Sequence, residues 1–213
     1  MKIITAKFGG TSLADASQIK KACAIITAND ERRYVVASAP GKRYPEDIKI
    51  TDMLYKAHAQ AKAGEDFSDT MRDISDRYAK IIDGLGIKFD IDAEIQEISE
   101  KLKAGTTPDY PASRGEYINS KIIAAFLGWQ FVDAADGIFF TESGVLDEAK
   151  TFKTLGELLL KHERAVVPGF YGSLPDGSIK TFSRGGSDVT GSIVARSVNA
   201  DLYESFRFAI IRS

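Results

Sequence analysis

Short apolar runs closed by glycine or proline alternate along this chain with longer stretches of helical spacing. Ile3-Ile4-Thr5-Ala6-Lys7-Phe8 reads as a short buried strand that Gly9-Gly10 ends. Asp15 and Gln18 then stand in capping-box relation, and Ile19, Ala22, Cys23 and Ile26 follow at helical spacing. Tyr34-Val35-Val36-Ala37-Ser38 is a second strand, closed by Pro40-Gly41. Strand, helix and strand in that order predict a parallel βαβ start.

The pattern changes over residues 49–102, which are rich in Ala, Lys, Asp and Glu. Leu54, Ala57 and Ala61 share one helical face, and Ile91, Ile95, Ile98 and Leu102 share another. About three helices are expected, with a break at Asp83-Gly84-Leu85-Gly86, forming an insertion that covers a sheet edge or acts as a lid. A loop over 106–111 leads to a helix over about 116–126, with Tyr117, Ile118, Lys121, Ile122 and Ala125 facing in. Then come strands at 130–134 and 139–141, a helix at 154–162 and a strand at 165–170. Pro175-Asp176-Gly177 marks a hairpin turn into residues 179–182. A helix over 187–197 and a strand over 200–204 complete the pattern. No internal repeat interrupts it.

Composition narrows the chemistry. The 213 residues suit one α/β domain, or a core with an insertion, and the net charge of −2 gives no electrostatic case for nucleic acid or an anionic membrane. Phosphate chemistry here must rest on locally placed cations. Cys23 is the single cysteine, so no internal disulfide and no Cys/His zinc cluster is expected. It falls at an apolar helical position and reads as a buried structural thiol. No signal-peptide pattern and no membrane-length apolar run is present, and a cytoplasmic location is expected.

Two glycine loops attract attention. Lys7-Phe8-Gly9-Gly10-Thr11-Ser12 lies where a strand hands over to a helix, so backbone N–H groups can approach an anion and Lys7 adds a full charge. It is not a Walker A loop, because the lysine precedes the glycines. A plain strand–helix turn with an exposed lysine fits the same residues. Ser183-Arg184-Gly185-Gly186-Ser187-Asp188 also joins a strand to a helix, and its arginine beside a helix start suits a carboxylate or phosphate. Ser187 or Asp188 also reads as a helix cap. In Ser113-Arg114-Gly115-Glu116, the carboxylate at a helix start gains from the dipole whatever else it does. Lys42 and Arg43 read alone as solvated loop charges. His58 and His162 have no nucleophile beside them in sequence and read as structural.

Taken together, these segments resemble the aspartate kinases of the amino-acid-kinase family. Lys7-Phe8-Gly9-Gly10-Thr11-Ser12 is similar to the family's opening signature, and Ser183-Arg184-Gly185-Gly186-Ser187-Asp188 to its second. Val35-Val36-Ala37-Ser38-Ala39-Pro40-Gly41-Lys42, Thr51-Asp52-Met53-Leu54, Arg114-Gly115-Glu116 and Gly169-Phe170-Tyr171-Gly172 fall in order between them. The resemblance implies a three-layer α/β/α sandwich around a mainly parallel sheet, of carbamate-kinase-like type. It implies transfer of the γ-phosphoryl group of ATP, with Mg²⁺, to the side-chain carboxylate of L-aspartate, on the route to lysine, threonine and methionine. By resemblance, Lys7, Gly9, Gly10, Gly185 and Gly186 hold phosphate. Arg184 clamps a substrate carboxylate with help from Ser187, Glu116 takes the ammonium, and Ser38 and Thr51 line the pocket. By the same resemblance, Asp188 orients the cationic groups or Mg²⁺-bound water. No resident metal ligand is implied.

The resemblance runs from residue 2 to about 204. There the family continues into a Trp/Thr-Asp-Val-Asp-Gly-like segment that completes the nucleotide site, whereas this chain reads Ser205-Phe206-Arg207-Phe208-Ala209-Ile210-Ile211-Arg212-Ser213. The expected organisation is therefore an incomplete catalytic domain over 1–204, a helical insertion at about 49–104, an atypical tail over 205–213 and no regulatory domain. An aspartate kinase that pairs with itself or with another chain is one expectation. A catalytically incompetent ligand-binding or interaction subunit is the alternative.

Overall fold

The computed structural model describes residues 2–183 and 186–208. Five parallel strands form its central sheet: β1 (Ile4–Phe8), β2 (Arg32–Ala37), β3 (Gln130–Phe131), β4 (Ala165–Pro168) and β7 (Leu202–Phe206), in the order β3-β4-β2-β1-β7. A separate antiparallel hairpin joins β5 (Tyr171–Ser173) to β6 (Ile179–Thr181) across the Pro175-Asp176-Gly177 turn. Around the sheet run α1 (Ala16–Thr27), α2 (Ile50–Lys62), α3 (Ser68–Leu85), α4 (Ile91–Ala104), α5 (Asp109–Leu127), α6 (Glu148–Leu159) and α7 (Gly186–Ser197).

Strand alternation divides the core into two layers. Ala6, Phe8, Val35, Ala37 and Val166 point to the side of α1 and α5. Tyr34, Val36, Ala165 and Val167 point to the side of α6 and α7, where Leu155, Leu159, Ile193 and Val194 meet them. The chain is an α/β/α sandwich on a parallel sheet, as the resemblance implies, and its pattern predicts the parallel βαβ start. Cys23 is buried in the first layer, which pushes its thiol up to about 12.

Residues 50–104 form the three helices α2, α3 and α4, the number their spacing predicts, and Gly86 ends α3 in the left-handed conformation at φ 71°. They pack on α1 and α5, thickening one helical layer rather than covering an edge strand.

Several boundaries differ from the sequence reading. Helix α5 begins at Asp109, because Pro111 sits in the first turn, where its missing N–H would have had no helical partner anyway. Glu116 is thus well inside the helix and gains nothing from its dipole. Ala125 is exposed, and Ile123 and Ala124 carry the buried face instead. Helix α6 starts earlier than expected, where Asp147 accepts from the Lys150 N–H, and ends before His162. Phe139 and Phe140 make isolated bridges in place of the strand expected over 139–141, and β3 is only two residues long before a 3₁₀ turn at Ala134–Asp136. Strand β4 stops at Pro168, ahead of the strand expected over 165–170. Strand β7 runs two residues past the expected end, and Phe206 stacks on Phe8 with ring centroids 4.8 Å apart.

Candidate active site

The carboxyl ends of β1, β2, β4 and β7 open together, which is where parallel α/β sheets place ligands. A cavity of about 440 Å³ lies there, lined from β1 by Lys7, Gly9 and Gly10, and from the end of β2 by Ser38 and Gly41. Thr51, Glu116, Gly186, Ser187 and Asp188 complete the far walls. Every candidate named from the sequence is in that cavity except Arg184 and Gly185, which lie outside the described residues.

Lys7 alternates toward the α7 side of the sheet and is 3% exposed. Its Nζ donates to Asp188 Oδ1 at 2.7 Å, and Ser205 Oγ donates to the same oxygen at 3.2 Å. Burial works to raise the Asp188 pKa, but the Lys7 hydrogen bond and charge, with Ser205 and the Arg207 charge, hold it below the usual carboxylate range. Asp188 also sits in the first turn of α7, where the helix dipole favours a negative charge.

Glu116 is a buried acid whose Oε2 has no hydrogen-bond partner among the described residues. Burial pushes its carboxyl up to about 8, against backbone hydrogen bonds from Ala39 and Glu116 and the Arg114 charge. An unpartnered buried acceptor facing a cavity is costly unless a donor arrives. A ligand ammonium is such a donor.

The glycines act differently from one another. The Gly9 N–H donates to Phe206 O at 3.0 Å, so this amide is not available to an anion, contrary to the expected backbone contact. A Cβ at Gly9 would stand in ordinary contact, 3.6 Å from Phe206 O, 3.7 Å from Lys7 Nζ and 3.8 Å from Arg207 Nε. Two cations therefore converge above a position that has no side chain. Gly10 and Gly41 press backbone to backbone, with Gly41 N donating to Gly10 O at 2.8 Å. Gly186 makes room for Phe170, whose ring a Cβ would meet at 2.5 Å. Phe170 itself holds φ 83°, an uncommon conformation for an aromatic residue at a cavity wall.

Lys42, Lys49, Thr11, Phe170 and Arg207 also line the cavity and were not chosen from the sequence. The adjacency of Lys42 to the strand-ending Pro40-Gly41 was the available signal. Arg207 lies in the stretch that the sequence reading sets apart as an atypical tail. Arg43 is bound to Asp47, in the same loop, at 2.7 Å. Arg114 does not line the cavity, and its guanidinium lies over the rings of Tyr117, Tyr110 and Tyr171, 4.2 Å from the first centroid. His58 Nε2 is 2.9 Å from Thr106 O, away from the site. No cluster of three or more metal-ligating side chains occurs among the described residues, and no described helix is long and apolar enough to cross a membrane.

A model of the amino acid kinase family matches residues 2–206. The chain belongs to the amino acid kinase family. This amino acid kinase chain is 38% identical to Aspartokinase 3 of Bacillus subtilis (strain 168), over 97% of its own length and 48% of that protein's. It matches the crystal structure of Clostridium acetobutylicum aspartate kinase with a TM-score of 0.94 at 49% identity, covering 96% of this chain and 47% of that one. Escherichia coli aspartokinase III in complex with aspartate and ADP matches with a TM-score of 0.81 at 22% identity, covering 96% and 49%, and attests the shared fold alone. The chain spans about half the length of the relatives it matches.

Proposed function

We propose that this chain carries the aspartate-binding and phosphate-facing part of an aspartate kinase, transferring the γ-phosphoryl group of ATP to the side-chain carboxylate of L-aspartate. The observation that carries this reading is the placement of Lys7, Glu116 and Asp188 around one cavity at the strand ends. The aspartokinase relatives at 38% and 49% identity support it.

The chemistry suits these residues. A carboxylate nucleophile is already ionised at neutral pH and needs no general base, consistent with histidines that stand away from the cavity. One oxygen of the substrate carboxylate bonds to the γ-phosphorus as the bond to the ADP oxygen breaks, giving an acyl phosphate and ADP. Such a transfer depends on positioning and charge neutralisation. Lys7 and Arg207 face the transferring phosphates over Gly9, and Glu116 receives the substrate ammonium. Ser38, Thr51 and Ser187 border the substrate, and Asp188 holds the Lys7 ammonium in place. Arg184 and Gly185, between Ser183 and Gly186, are assigned to the substrate carboxylate and the phosphate by resemblance. Mg²⁺ is assigned to the nucleotide phosphates, without a protein cluster of its own. The domain assignment keeps 1–204 as the catalytic portion with its insertion at about 49–104. Pairing with itself and a cytoplasmic location belong to the same reading.

The test is to incubate the chain with aspartate, ATP and Mg²⁺ and trap acyl phosphate with hydroxylamine. Aspartyl hydroxamate that disappears in Lys7→Ala supports the kinase. Aspartate binding without hydroxamate replaces it by the alternative of a ligand-binding subunit, and no aspartate binding removes both.

A further inference from the structure

The loop that carries Lys42 beside the cavity is held by a residue of α3. Arg77, on α3, is 5% exposed although it carries a full charge. Its Nη2 donates to Gly41 O, its Nη1 donates to Ile48 O, and Nη2 lies 3.4 Å from Asp47 Oδ2. Asp47 in turn accepts from the Arg43 N–H at 2.9 Å and from Arg43 Nε at 2.7 Å. One guanidinium thus grips the beginning and the end of the stretch 41–48. Gly41 is bound on both sides: its carbonyl to Arg77 and its N–H to Gly10 O. Lys42 follows Gly41 directly, and both line the cavity.

We infer that Arg77 is a positioning residue for the phosphate end of the site, fixing the loop that carries Lys42 at the cavity wall, where its ammonium donates to Pro45 O at 3.0 Å and an anion would compete for it. The inference rests on the kinase reading above. The physical reason is that a buried arginine bridging two carbonyls and a carboxylate leaves the loop little freedom, and a lysine cannot satisfy all three partners from one point charge. Without the bridge, Gly41 O loses a buried donor and the segment carrying Lys42 loosens. Glu116, on α5, and Ser38, directly after β2, lie outside this loop, so aspartate recognition by them should be spared.

The test uses calorimetric titration of the whole chain with pyrophosphate and, separately, with aspartate. Arg77→Lys should weaken pyrophosphate binding by about tenfold while aspartate affinity stays within about twofold. In a Lys42→Ala background the same change should add less than about twofold, because its effect runs through Lys42. Asp47→Asn keeps both carbonyl contacts of Arg77 and should give a smaller loss of the same kind, which carries the test if Arg77→Lys does not fold. Unchanged pyrophosphate binding in the folded variants, or full additivity with Lys42→Ala, overturns the inference and leaves the kinase reading standing. An unaltered chain that binds aspartate but no pyrophosphate overturns it too, and one that binds neither removes the kinase reading as well.

Discussion

Lys7 Nζ stands 2.7 Å from Asp188 Oδ1, joining the first strand to the first turn of α7 across 181 positions of chain. The pair is asymmetric: the Lys7 side chain is 4% exposed and that of Asp188 is 47% exposed. Removing the lysine leaves a carboxylate that water reaches, whereas removing the carboxylate leaves a buried ammonium. Asp188→Ala should therefore lower stability by about 1–3 kcal/mol, and more than Lys7→Ala does. Urea melts of the two variants check the order; equal midpoints would show that the pair is not asymmetric in energy.

The same contact sets an acid limb. The Asp188 carboxyl is held below its usual range, so the folded state binds its proton less readily than the unfolded state. Its contribution is present above the unfolded value of about 4 and fades as pH falls through the lower folded value. Asp188→Asn should flatten melting temperature against pH over that acid range. A variant that tracks the unaltered chain there would rule the contact out as a source of the limb.

Glu116 acts in the opposite sense. With its carboxyl raised to about 8 from 4.5, the folded state holds a proton that the unfolded state releases between those values. Stability from this group is therefore fully present below the unfolded value and is lost as pH rises toward 8. Glu116→Gln should become progressively more stable than the unaltered chain between pH 5 and pH 8, about the span of the two values. Binding of an ammonium ligand at neutral pH should also release a proton, seen as a buffer-dependent calorimetric heat that Glu116→Gln lacks.

Glycine 41 offers a steric test. A Cβ there would stand 2.5 Å from the Gly10 carbonyl carbon and 2.7 Å from Thr11 N, both of them backbone atoms that cannot swing aside. Gly41→Ala should destabilise by about 1–3 kcal/mol and weaken phosphate binding together. Gly64→Ala makes a useful comparison, because nothing lies within 4 Å of its Cβ position although its φ is 72°; it should cost stability but leave phosphate binding alone. Equal effects of the two changes on phosphate binding would refute the contact argument.

Phe206 tests whether residues 205–208 belong to the folded unit. It stacks on the fully buried Phe8, Gly9 N donates to its carbonyl, and Phe208 N donates to Ser12 Oγ at 2.8 Å. Phe206→Ala should cost about 2–4 kcal/mol in thermal or urea unfolding. A cost near zero would make this stretch a loose appendage.

Much of this was legible from the chain alone. The alternation of apolar runs with helical spacing located β1, α1, β2 and the three inserted helices, because each carries a clear period or a glycine stop. Lys7, Glu116 and Asp188 were found through the motifs around them, and the fold brings them to one cavity. What sequence spacing could not show was long-range: Arg207 reaching Gly9, Arg77 reaching Gly41, and the Gly9 amide being taken by Phe206. The start of α5 is not legible from spacing, because Pro111 reads as a loop residue, whereas in a first turn proline costs the helix nothing. That reading also gives Glu116 a helix-start role in place of its buried one.

The central claim is that one cavity recognises both an ammonium and a carboxylate on the same small molecule. The direct measurement is calorimetric affinity for aspartate and for succinate, which lacks the ammonium, in the unaltered chain and in Glu116→Gln. The account predicts that the unaltered chain prefers aspartate by at least about tenfold and that Glu116→Gln abolishes most of that preference. Equal affinity for the two acids in the unaltered chain, or an undiminished preference in Glu116→Gln, would contradict it.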